Sequence, residues 1–303
     1  MATNTVTAET QRTKGPIVWL DLDQKELDDA YDQTVYAPNQ PLLAKRRATA
    51  AASVVQRFPS ERFAYGPSEH EKLDVYRTKK PNAPVTVYVH GGAWRNGTAK
   101  DFAAPAEMFV NAGSNYVVLD FIQIAEAGGD LLPMAQQVRN AIAWVYKNAP
   151  SFGADPNRLY LTSHSSGSHL SGCALVTDWE KDFGLPPDII KGAVLLCGMY
   201  DLKPVRLSKR SDYVKFTDEV EEKLSSIRHL DKLHAPITVC YGTCETPEFQ
   251  RQSRDFAAAV KAAGKPVEIL VGESLNHFEM QETLGNPYGI GGRAALKMLG
   301  LSV

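Results

Sequence analysis

From about residue 60 the chain alternates short β-branched runs with longer stretches of helical period. Lys72–Arg77 (KLDVYR) switches between polar and apolar with period two, as a half-buried strand does. Val85–Val89, Tyr116–Phe121, Ala193–Cys197, Ile237–Tyr241 and Val267–Val271 are near-continuous apolar runs, the pattern of strands covered on both faces. Leu159–Thr162 predicts another strand, running straight into Ser163–Gly167 and then a helix to about Val176. Helices are predicted over 134–147, over 248–263 with Gly264 as the stop, and over 292–299. Strand and helix in this alternation predict an α/β fold with a mainly parallel central sheet and helices on both faces. Ligands then bind beyond the carboxyl ends of the strands.

The first 60 residues read differently. Residues 1–15 are polar and predict a mobile tail. A single domain is expected over 16–303, opening with a helical region over 16–60. There Asp23 with Glu26 three places on is a helix-start signal, and residues 41–58 are rich in helix formers. The charged stretch 203–232 interrupts the alternation and is expected to be a lid or a solvated connection.

Composition narrows the function class. The 303 residues are 44% hydrophobic and 22% charged, with 33 basic and 35 acidic side chains and a net charge of −2. Neither a nucleic acid nor an anionic membrane is expected as partner from that balance. No apolar run reaches the roughly 20 residues of a membrane helix, and the first ten residues lack a signal peptide's basic and apolar regions. Cys173, Cys197, Cys240 and Cys244 have no histidine or cysteine partners at metal-binding spacing, so buried free thiols and a cytoplasmic location are expected.

The chemistry gathers at predicted strand ends. Ser163-His164-Ser165-Ser166-Gly167, between strand and helix, resembles the G-x-S-x-G nucleophile elbow of α/β-hydrolases, with Ser163 in place of the first glycine. Small flanking residues let the backbone turn sharply enough to lift the Ser165 hydroxyl clear. His90-Gly91-Gly92-Ala93-Trp94 follows strand 85–89 and has the spacing of an oxyanion loop. Backbone N–H groups of Gly92, Ala93 and Ser166 are the expected oxyanion donors, each contributing about 3 kcal/mol. His90 is expected to brace that loop.

In such a fold the order is serine, acid, histidine. His277 follows the last predicted strand, which makes it the expected base, while His229 and His234 lie in the polar stretch. Two carboxylates end strands: Glu245 after 237–241 and Asp201 after 193–197. Position after the penultimate strand favours Glu245, with Asp201 as the alternative and Glu248 as a helix-start residue. Trp94, Tyr200 and Phe278 are candidates for the substrate pocket. This chemistry needs neither metal nor organic cofactor, and its partner is a small-molecule ester or amide.

Together these residues resemble the arylformamidase (kynurenine formamidase) and carboxylesterase branch of the α/β-hydrolases. His90–Trp94 is similar to its H-G-G-x-W signature, Leu27–Asp32 and Ala64–Gly66 to its N-terminal segment, and Glu245–Ser253 to its acid segment, where the family usually has aspartate at the Glu245 position. The likeness spans roughly residues 25–300 and implies an α/β-hydrolase fold that cleaves aryl formamides or carboxylic esters. A hydrolase of another amide, carbamate or thioester fits the same residues. A non-catalytic binding protein on this fold would ordinarily lack one of the three.

Overall fold

The computed structural model describes residues 13–302. The expected tail over 1–15 therefore lies outside the described residues in its first twelve positions. A short antiparallel pair, β1 (Ile17–Trp19) and β2 (Leu22–Asp23), precedes the main sheet. Asp23 then caps the helix Gln24–Ala30 through the expected box. Its carboxylate accepts from Glu26 N at 3.0 Å, and Glu26 Oε2 accepts from Asp23 N at 2.9 Å. The helix predicted over 41–58 runs from Gln40 to Arg57.

Eight further strands form one sheet: β3 (Glu61–Ala64), β4 (Lys72–Tyr76), β5 (Ala83–Val89), β6 (Asn115–Leu119), β7 (Ala154–His164), β8 (Ile190–Leu196), β9 (Ile237–Gly242) and β10 (Val267–Gly272). Their spatial order is β10-β9-β8-β7-β5-β6-β4-β3. Strands β5 to β10 pair in parallel, while β3 and β4 are antiparallel to their neighbours. This is the α/β-hydrolase fold, with helices around a mainly parallel sheet. Every residue of β5 and β6 is buried, which accounts for their near-continuous apolar sequence, Thr86 and Asn115 apart.

One topological step positions the site. After β5 the chain places β6 on one side of it and β7 on the other, which opens a crevice at their carboxyl ends. Val89 pairs with Ser163 in the β5–β7 register. The segments starting at His90 and His164 therefore leave the sheet side by side although 74 residues separate them. β9 and β10 are likewise neighbours, so the loops carrying Glu245 and His277 emerge together.

The 203–232 stretch is not a solvated connection. It holds the helices Leu202–Leu207 and Asp218–Leu224. Leu202, Val205, Val214, Val220 and Leu224 are buried in the main core. Four of these, with Leu202 at the edge, lie spread among charges and anchor the segment while leaving its average composition polar.

Candidate functional site

The backbone at Ser165 is in an unusual state, φ 57° and ψ −126°, directly between β7 and the helix Ser166–Leu175. A non-glycine residue there is strained, and the surroundings enforce it. Ser165 N donates to Leu196 O at 2.9 Å, tying the turn to β8. Gly167 lets the following helix press against β5: a Cβ there would meet Val89 O at 2.1 Å. Ser163, at the position where the motif has glycine, is buried and shares a 3.0 Å hydrogen bond with Ser168 Oγ, which donates on to Leu196 O. The missing glycine is thus accommodated by a small polar chain.

The loop after β5 carries three successive positive φ values: Gly92 119°, Ala93 54° and Trp94 62°. Consecutive N–H groups in such a turn form a concave anion cradle. Gly92 has no room for a side chain, since a Cβ would meet Asn96 O at 2.1 Å. Among the described residues, the N–H groups of Gly92, Ala93 and Ser166 have no protein acceptor. Trp94 N instead donates to Ser166 Oγ at 3.2 Å, which locks this loop to the elbow. That tie was not legible in the sequence. His90 braces the loop from behind, its Nδ1 2.8 Å from Gly91 O and its ring stacked between Phe102 and Phe121.

His277 begins the helix His277–Glu282, capped by an Asn276–Glu279 box. Its Nε2 lies 2.9 Å from Ser165 Oγ and its Nδ1 2.5 Å from Glu245 Oε1. The other carboxylate oxygen, Oε2, accepts from Gly242 N at 3.0 Å. Gly242 is what lets the two loops meet, because a Cβ on it would lie 2.1 Å from Leu275 O. All three side chains are buried. Burial, reinforced by the Arg210 guanidinium, holds the imidazole of His277 down at about 3. Burial pushes the Glu245 carboxyl up to about 7, against the opposing Gly242 N–H and Cys197 thiol.

Asp201 is not brought to this place. It caps the helix Leu202–Leu207 through Lys203 N and pairs with Arg228 at 3.3 Å. His164, inside the elbow, is: its Nε2 lies 2.8 Å from His277 O, so it pins the backbone of the histidine segment to the turn. His164, Cys197 and His277 are also the one group of three potential metal ligands among the described residues. Both ring nitrogens of His277 are already engaged by Ser165 and Glu245.

A cavity of about 640 Å³ opens over Ser165 and His277. Gly91–Ala93 form one wall, and Tyr31–Thr34 and Lys209–Tyr213 reach over it. Phe278 also lines it. Trp94 and Tyr200 do not, which corrects the sequence expectation. Tyr200 is fully buried and stacked on Phe256 at 3.9 Å between ring centroids. Trp94 turns under the loop, where its indole N–H donates to His169 Nδ1 at 3.3 Å. Both are apolar residues at strand ends whose loops turn them into the core. A larger groove of about 1150 Å³ beside the helix Gln40–Arg57 contains neither Ser165 nor His277.

The BD-FAE family profile matches residues 73–189. The kynurenine formamidase of Danio rerio is 30% identical over 94% of this chain and 99% of its own length. That of Salmo salar is 28% identical over the same shares. Among solved structures, esterase B from Lactobacillus rhamnosis superposes with a TM-score of 0.69 at 17% identity, over 87% of this chain and 95% of its own. The Thermogutta terrifontis esterase 2 gives 0.63 at 19% identity, over 80% and 90%.

Proposed function

Because this chain belongs to the kynurenine formamidase family of α/β-hydrolases, we propose that it is a serine hydrolase of aryl formamides or carboxylic esters. The observation that carries this reading is the unbroken hydrogen-bonded series Ser165 Oγ, His277 Nε2, His277 Nδ1, Glu245 Oε1. In it, His277 takes the Ser165 proton as the hydroxyl attacks the carbonyl carbon. Glu245 fixes the tautomer and offsets the imidazolium charge. Free N–H groups of Gly92, Ala93 and Ser166 receive the oxyanion. His277 then protonates the departing amine or alcohol, and water hydrolyses the acyl-enzyme by the same steps reversed. Among the described residues no helix is long and apolar enough to cross a membrane, in keeping with a small-molecule substrate reached from water.

The test is turnover of N-formylkynurenine and p-nitrophenyl acetate by wild type and Ser165→Ala side by side. A strong preference for the formamide, abolished in the variant, is expected of a formamidase; turnover of the ester alone assigns a carboxylesterase. Undiminished activity in the variant on either compound would sink the reading.

A further inference from the structure

Arg210 is the one cation in the roof whose position is hard to explain by folding alone. It is more than nine-tenths buried, with 6% of its surface exposed, and it lines the cavity. Nη1 donates to Tyr213 Oη at 2.8 Å and Nη2 to Tyr31 O at 3.0 Å, while Nε is buried with no acceptor. Its guanidinium lies over the Trp94 ring at 5.5 Å and the Phe249 ring at 6.0 Å. No carboxylate among the described residues pairs with it.

Its neighbours are treated otherwise. Lys209 pairs with Asp32 at 2.5 Å, and Arg251, on the helix that carries Phe249, pairs with Glu248 at 2.7 Å. Asp212, on its own segment, is exposed. From the oxyanion loop Arg95 lies over the Tyr213 ring, and from the helix Gln40–Arg57 Arg47 donates to Gln281. From below, His164 and His277 face the same space as neutral rings, with Glu245 behind them. A buried guanidinium left without a counter-charge is costly, so its retention asks for an anion. The reaction itself makes two: the tetrahedral oxyanion and the carboxylate product.

We propose that Arg210 is a positioning residue whose charge is balanced only during turnover, by the oxyanion forming at Gly92 and Ala93 and then by the carboxylate product. It acts through Trp94, whose ring supports its guanidinium and whose backbone closes the oxyanion loop, and through space on His277. This rests on Ser165 as nucleophile.

The experiment uses p-nitrophenyl acetate, a substrate with no charge of its own. In Arg210→Ala, kcat is expected to fall about ten- to hundredfold with KM little changed. The acid limb of the pH profile moves to higher pH, because a cation that opposed the imidazolium is gone. Added guanidinium at non-denaturing concentration restores part of kcat to the variant and none to wild type, and inhibition by acetate weakens. Arg210→Lys retains more activity than Arg210→Met, both checked for wild-type thermal unfolding. A fall in kcat with an unmoved limb and no guanidinium rescue overturns the proposal, since packing loss alone does that. So does a defect confined to substrates bearing their own carboxylate. If wild type neither turns over the ester nor takes a fluorophosphonate label, the nucleophile reading itself has failed and this inference falls with it.

Discussion

On the floor of the cavity the backbone places the chemistry, whereas on its roof side chains do. Ser165, Gly92 and His277 are fixed by a strained turn, a run of positive φ and a capped helix start, all rooted in adjacent parallel strands. Tyr31–Thr34 and Lys209–Tyr213 are fixed by the Lys209–Asp32 pair, the Arg210 hydrogen bonds and the Arg95 guanidinium over the Tyr213 ring. Backbone geometry in a close-packed interior has little freedom to drift. Exposed pairs of long side chains are individually weak, worth about 0–1 kcal/mol. The floor therefore holds its geometry rigidly, and the partly exposed Lys209–Asp32 pair, unlike the buried Arg210, is where the roof could change at small cost to the fold.

Four changes sharpen or break that contrast. Ser165→Ala should lower kcat by about 10⁴-fold or more with the fold intact, measured by ester turnover and thermal unfolding in parallel. Glu245→Gln keeps the shape and removes the charge, so kcat should fall about 10³- to 10⁴-fold. Asp201→Asn should stay within about twofold, since that carboxylate caps a helix elsewhere; equal losses in both variants would erase the distinction between the two acids.

Next comes pH. Burial lowers the imidazole of His277 below its ordinary 6.5 and raises the Glu245 carboxyl to about 7, so the first proton the pair takes as pH falls is taken near 7, and loss of kcat/KM should begin there. For the imidazole the folded state binds the proton less tightly than the unfolded chain does. Its contribution to stability is present above pH 6.5 and is lost as pH drops toward 3. A kcat/KM profile with its acid limb well above 7 would contradict the burial argument. At the Lys209–Asp32 pair of the roof the effect is expected to be small: Lys209→Ala should alter KM by a few-fold and leave kcat nearly unchanged, with stability reduced by less than about 1 kcal/mol.

The same contrast governs what could be read from the sequence. Ser165 and Gly92 announce themselves because sharp turns demand small residues in a fixed spacing, and His277 because it follows the last strand of a regular alternation. Strands β5 to β10 were legible for the same reason: long apolar runs leave little choice. β3, four residues with two charges among them, carried no such signal. Nor did the roof, whose anchors Leu202, Val214 and Val220 are scattered through charged residues and whose key contacts join positions some 180 apart, as between Arg210 and Tyr31. Trp94 and Tyr200 were misplaced because the side a residue faces after a strand end depends on the loop's φ values, here positive at Trp94. Nothing in the sequence marks the Ser166 hydroxyl, which joins the turn at Ser165 to the loop after β5.

The central claim is that Ser165 is the nucleophile and that His277 activates it. It is tested most directly by labelling the purified protein with a fluorophosphonate and mapping the adduct by peptide mass spectrometry. The account predicts one adduct, on Ser165, absent in Ser165→Ala and formed far more slowly in His277→Ala. A label on another residue, or equal labelling of Ser165 without His277, would contradict it.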